Sequence, residues 1–102
     1  MTDPVLAHAL DQTYQLVETL KAFVACPSVG ADPAMEQGME DARQIIETRL
    51  DQMAFQNRRR LAPANEMGHP AIFAERMDAP GKPTILIYAH YDVQPSDPLD
   101  KW

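Results

Sequence analysis

His90 and Asp92 are the residues whose types and spacing most directly suit chemistry. In extended backbone residues i and i+2 project to the same side, so the Asp92 carboxylate can reach the His90 ring while Tyr91 points away. A neutral imidazole ligates a metal through one nitrogen, and a carboxylate that accepts the N–H of the other fixes the tautomer and raises the ligand's basicity. The pair directly follows Thr84-Ile85-Leu86-Ile87-Tyr88-Ala89, a run that reads as a strand buried on both faces. Ligand sites of open α/β sheets lie beyond the carboxyl ends of strands, which is where His90 falls. A bare His-x-Asp also suits a polar strand end whose histidine caps a carbonyl, and short patterns recur widely by chance.

Other reactive side chains read more plainly. His8 on the polar side of a helix and His69 in a Gly-His-Pro turn lack a second ligand at useful spacing and read as solvent-exposed. Cys26, between Ala25 and Pro27, reads as a small buried hydrophobe. Ser28 has no Gly-x-Ser-x-Gly elbow around it. Arg58, Arg59 and Arg60 read as a solvated edge that discourages strand pairing, and Met35, Met39 and Met53 as core filler at helical spacing. Tyr91 and Gln94 are placed to shape the rim of a pocket at His90.

The elements that must hold the pair follow from periodicity. Leu6, Leu10, Tyr14, Val17, Leu20 and Val24 recur in steps of three and four, with Asp3-Pro4 as cap and first turn and Pro27 as the stop. Asp32-Pro33 repeats the cap signature, and Met35, Met39, Ala42, Ile46, Leu50 and Met53 form the apolar face of a second helix. Gln56–Leu61 reads as an exposed strand and Ala71–Glu75 as another. Ala79-Pro80-Gly81-Lys82-Pro83 is a turn before the third strand, Thr84–Ala89. The expected fold class is α/β, two N-terminal helices packed on a β-sheet. Two helices cover only one face of a doubly buried strand, so the layering calls for more chain than is here.

Length and composition narrow the class. The 102 residues carry 9 Lys and Arg against 15 Asp and Glu, a net charge of −6. An acidic chain is a poor phosphate-backbone binder, so no nucleic-acid partner is expected. No apolar run has bilayer length and no basic leader precedes one, so neither membrane nor secretion is expected. With 45% hydrophobic and 24% charged residues the composition is that of a globular protein. The single cysteine excludes an intrachain disulfide framework and, with these features, points to the cytoplasm.

The string Pro83 to Pro95, containing His90-Tyr91-Asp92-Val93-Gln94-Pro95 and followed by Asp97-Pro98-Leu99 and Trp102, closely resembles the first conserved block of the M20 family of metallopeptidases. Phe23–Val29, with its Pro27-Ser28-Val29, resembles that family's opening helix-to-loop segment, and the helix from Pro33 to Met53 fits beside it. The His-Tyr-Asp-Val-Gln-Pro form is similar to the dipeptidase, carnosinase-like branch. The resemblance implies that His90 ligates one zinc of a two-metal centre, with Mn2+ or Co2+ as alternative occupants, and that Asp92 is the carboxylate counted among the catalytic residues. It implies hydrolysis of dipeptides or short peptides and a parent able to homodimerise. It makes residues 1–102 the N-terminal portion of one incomplete α/β/α catalytic domain, cut after Trp102 before the bridging carboxylate and the general base, and therefore inactive alone. The alternatives are an N-acyl amino acid deacylase of the deacetylase or desuccinylase type, and a non-catalytic α/β module whose sheet a partner covers.

Overall fold

The computed structural model describes residues 3–102; Met1 and Thr2, where the lack of a leader was read, lie outside the described residues. The element order is α1 (Pro4–Asp11), α2 (Thr13–Val24), a 3₁₀ turn at Pro33–Met35, α3 (Glu36–Gln52), β1 (Gln56–Leu61), β2 (Ala71–Glu75) and a second 3₁₀ turn at Leu99–Lys101. The α/β class is borne out: three helices are layered with a two-stranded antiparallel sheet.

The caps form as the sequence requires. The Asp3 carboxylate accepts from Val5 N at 2.8 Å and Asp32 from Ala34 N at 2.9 Å, each just ahead of a proline. The single first helix expected from Pro4 onward is broken at Gln12 into α1 and α2. The Thr13 hydroxyl donates to Ala9 O at 3.3 Å across this joint, a back-bond of the kind that bends helices.

α3 lies on the sheet, α2 lies on α3, and α1 extends α2. The buried core is correspondingly thin: Met39 and Ala42 are its fully buried apolar side chains, joined by Gly38, Ser28 and Arg43. The apolar face foreseen for the first helix, Leu6 through Val24, stays exposed because, among the described residues, α2 packs only on α3 and α1. Met53, expected in the core, is exposed as well. The Cα radius of gyration is 16.6 Å, whereas a compact domain of this length has roughly 13 Å.

The arginine-rich strand corrects its expectation. Arg58 and Arg60 share one face of β1 and dock on α3, where Glu40, Glu47 and Asp51 lie on a common face. Arg60 grips Glu40 with two bonds of 2.8 Å and reaches Glu47 at 2.6 Å, while Arg58 bonds Asp51 at 2.7 Å and pairs with Glu47. Arg59 points to the other face, over the Phe73 ring at 4.5 Å. The run is thus the ionic fastening of sheet to helix, which a charge count along the chain does not reveal. Asn57, with φ of 53°, sits where the β1–β2 register shifts between Gln56 and Arg59.

The third strand does not form. Thr84–Ala89 takes no regular element, and Ile85 is 82% and Leu86 90% exposed. A strand is defined by its ladder partner, and no segment among the described residues lies beside this one.

Candidate functional site

The site is built where two distant segments meet. Val29 and Val93 form an isolated parallel bridge, and Val93 N donates to Ser28 O at 2.8 Å. The Pro27-Ser28-Val29 loop and the His90–Val93 segment, both singled out in the sequence, are therefore neighbours. The loop is seated in turn on α3 at Gly38, where an added Cβ would stand 2.2 Å from Pro27 O. Only glycine lets the helix backbone come this close.

His90 and Asp92 are brought together as their spacing requires. His90 Nδ1 lies 3.0 Å from Asp92 Oδ1 and 3.0 Å from Asp92 O. Both partners are acceptors, so the proton resides on Nδ1 and the Nε2 lone pair is left free. The His90 side chain is 77% exposed. Asp92 is braced against Gly30, at which a Cβ would come within 3.2 Å of Asp92 Cβ and 3.3 Å of its Oδ2.

Tyr91 points the opposite way, as alternation demands. Its hydroxyl donates to Pro70 O at 2.6 Å and accepts from Arg43 Nη1 at 3.4 Å, and its ring lies 5.9 Å from the Arg43 guanidinium carbon. Arg43 is 3% exposed and also bonds Glu36 at 2.8 Å and Glu40 at 3.0 Å. Burial works against its charge, but the bonds to Tyr91, Glu36 and Glu40 prevail and hold the guanidinium above the ordinary arginine range. Its other donor contact is His69 Nδ1 at 3.4 Å, and His69 Nε2 lies 3.0 Å from Gly30 O. Gly30 O can only accept, so Nε2 carries a proton, and Arg43 can only donate, so Nδ1 accepts from it; Glu36 approaches the same nitrogen at 3.5 Å.

Tyr91 lines the cleft as expected, whereas Arg43 was missed and His69 misread as parts of this site. His69, expected to be exposed, is only half-exposed and fully engaged. Arg43 carried a signal, since it stands four residues after Met39 and one after Ala42, inside the apolar face, with acids three and seven positions before it. Gln94 is exposed and does not line the cleft of about 720 Å³ that opens beside the pair, whereas Tyr91, His69, Met39, Ile46 and Ile87 do. His8 stays apart and exposed. Cys26 is half-buried, its thiol donating to Ala22 O at 3.4 Å; burial first and the Asp41 charge second push it up.

Among the described residues no three His, Cys, Asp or Glu side chains converge on a point that a metal could occupy. The donor chemistry nonetheless fits a share of a metal site: one imidazole with its Nε2 free and its Nδ1–H taken by a carboxylate. No helix among these residues is long and apolar enough to cross a membrane.

The chain is similar over nearly all its length to proteins named as metallodipeptidases. It is 25% identical over 114 residues to the Cys-Gly metallodipeptidase DUG1 of Saccharomyces cerevisiae, an alignment covering 95% of this chain and 24% of that protein. With the proteins of the same name from Candida albicans and Schizosaccharomyces pombe it shares 26% over 97 residues and 24% over 108, covering 86% and 92% of this chain. The chain spans between 20% and 24% of the length of these curated relatives. No family model matches it. No solved structure does either.

Proposed function

We propose that this chain is the N-terminal portion of the catalytic domain of an M20-type metallodipeptidase, which hydrolyses dipeptides or short peptides in the cytoplasm at a zinc centre, and that it has no activity by itself. The observation that carries the reading is the His90–Asp92 pair, with Nδ1–H given to the carboxylate and Nε2 left free at the end of an apolar run. The unpaired Thr84–Ala89 segment supports the incompleteness of the domain, because the apolar run Ile85–Ala89 awaits a neighbouring strand. The similarity to Cys-Gly metallodipeptidases supports the substrate class.

In this reading Nε2 of His90 is a metal ligand. Asp92 keeps the ring proton on Nδ1, orients the imidazole and raises its basicity. When bound, the metal supplies a water of lowered pKa and a Lewis acid for the scissile carbonyl. The bridging carboxylate and the general base come from sequence outside these 102 residues. Met39, Ile46 and Ile87 give the cleft beside the pair an apolar lining.

The test is hydrolysis by the parent protein that contains this chain, measured on Cys-Gly, a dipeptide panel and an N-acetyl amino acid, with and without a chelator. Dipeptide cleavage that the chelator abolishes, and that His90→Ala lowers by at least about 100-fold, is the expected result. Chelator-insensitive cleavage overturns the metal assignment, and preference for the N-acetyl substrate transfers the chain to the deacylase class.

A further inference from the structure

We infer that Arg43, His69 and Tyr91 are positioning residues that hold His90 in the tautomer exposing Nε2, a reading that rests on His90 as a ligand. A hydrogen bond between residues i and i+2 on an exposed segment competes with water and with every other backbone conformation of that segment. His90 and Asp92 are both well exposed, so their own contacts do little to hold them in place. The apparatus on the opposite side is better shielded: Arg43 is buried, and His69 and Tyr91 are half-buried.

That apparatus reaches the pair by two routes from one guanidinium. Arg43 Nη1 donates to the Tyr91 hydroxyl, which itself donates to Pro70 O at 2.6 Å, so the residue between His90 and Asp92 is tied down through its side chain. The same nitrogen donates to His69 Nδ1, whose Nε2–H holds Gly30 O at 3.0 Å; Gly30 is the surface against which the Asp92 carboxylate rests. The Val93 N–H to Ser28 O bond closes the segment one residue further on. Glu36 and Glu40 compensate the buried charge at 2.8 and 3.0 Å and leave the arginine fork in a fixed orientation. Side chains that form no part of the His90–Asp92 bond thereby fix both of its ends.

The readout is the imidazole itself, observed by 15N NMR in the metal-depleted parent protein that contains this chain, at a pH where the ring is neutral. The nitrogen shifts of His90 should report the Nδ1–H form as dominant. Tyr91→Phe keeps the ring but loses the Pro70 bond, and should shift the tautomer ratio toward Nε2–H about fivefold, the effect of one hydrogen bond. Arg43→Met should shift it further, and if that variant does not fold, Tyr91→Phe alone decides. Thr48→Gly weakens α3 at an exposed position that makes none of these bonds and should leave the nitrogen signature unchanged, which separates positioning from stability. An unaltered His90 signature in folded Tyr91→Phe, or a wild-type signature dominated by Nε2–H, overturns the inference. Since no metal or substrate is present, this failure is distinct from absence of chelator-sensitive hydrolysis in the parent, which would concern His90 as a ligand.

Discussion

Replacing Gly38 by alanine sets two opposing effects of known size against each other. Within a helix such as α3 the exchange is favourable by about 1 kcal/mol, because glycine loses the most backbone entropy on folding. In this structure the new Cβ would lie 2.2 Å from Pro27 O, 2.5 Å from Pro27 C and 2.8 Å from its Cγ. Ordinary carbon contacts begin near 3.5 Å, so α3 and the Pro27–Gly30 loop would have to part by roughly 1 Å. Two of the three obstructing atoms are backbone, which cannot swing aside as a side chain does. Overpacking of this kind costs about 3 kcal/mol at the upper end of its usual range, leaving a net loss of about 2 kcal/mol. In a chain of this size that lowers Tm by roughly 8–16 °C. Thermal and urea unfolding followed by far-ultraviolet circular dichroism would measure it, with Thr48→Ala, at an exposed position of α3, reporting the propensity gain alone. A Gly38→Ala chain more stable than wild type, in line with Thr48→Ala, would falsify the close seating of α3 on the loop that carries the site.

Acid stability should depend on Glu40. The Arg60 hydrogen bonds foremost, then those of Gln44 and Arg43, outweigh its burial and hold the carboxyl down to about 2 from an ordinary 4.5. The folded state therefore binds fewer protons: this contribution is complete above pH 4.5 and disappears as pH falls toward 2. Glu40→Gln should flatten that part of a plot of urea-derived stability against pH, and parallel curves for variant and wild type would count against it. Zinc titration of the chain itself should show weak binding, no tighter than about micromolar, since one imidazole supplies one of roughly four ligands. Submicromolar affinity dependent on His90 would mean that the missing ligands are in these residues after all.

Features set by neighbours in sequence were the legible ones. Both Asp-Pro caps, the boundaries of β1 and β2 and the turn at Gly81 follow from local chemistry and appear where expected. The His90–Asp92 approach was legible for the same reason, being an i to i+2 relation of extended backbone. Features that need a partner far along the chain were not. His69 finds Gly30 39 residues away, Tyr91 finds Arg43 at a separation of 48, and neither residue type announces such a partner. Thr84–Ala89 shows the converse: its composition states a preference for a sheet, but composition alone cannot supply the neighbouring strand.

The alternation of the three arginines along β1 has a consequence for how that strand docks. Arg58 and Arg60 meet the acids of α3 while Arg59 covers Phe73 on the reverse face. Sliding β1 by one residue would turn Arg59 toward Glu40, Glu47 and Asp51 and press two cations onto the aromatic face, leaving one arginine against the acids in place of two. The strand thus carries its phase in its charges. An element too polar to be aligned by burial is aligned by the parity of its arginines, and β2, paired to it through Arg59 and Phe73, inherits that alignment.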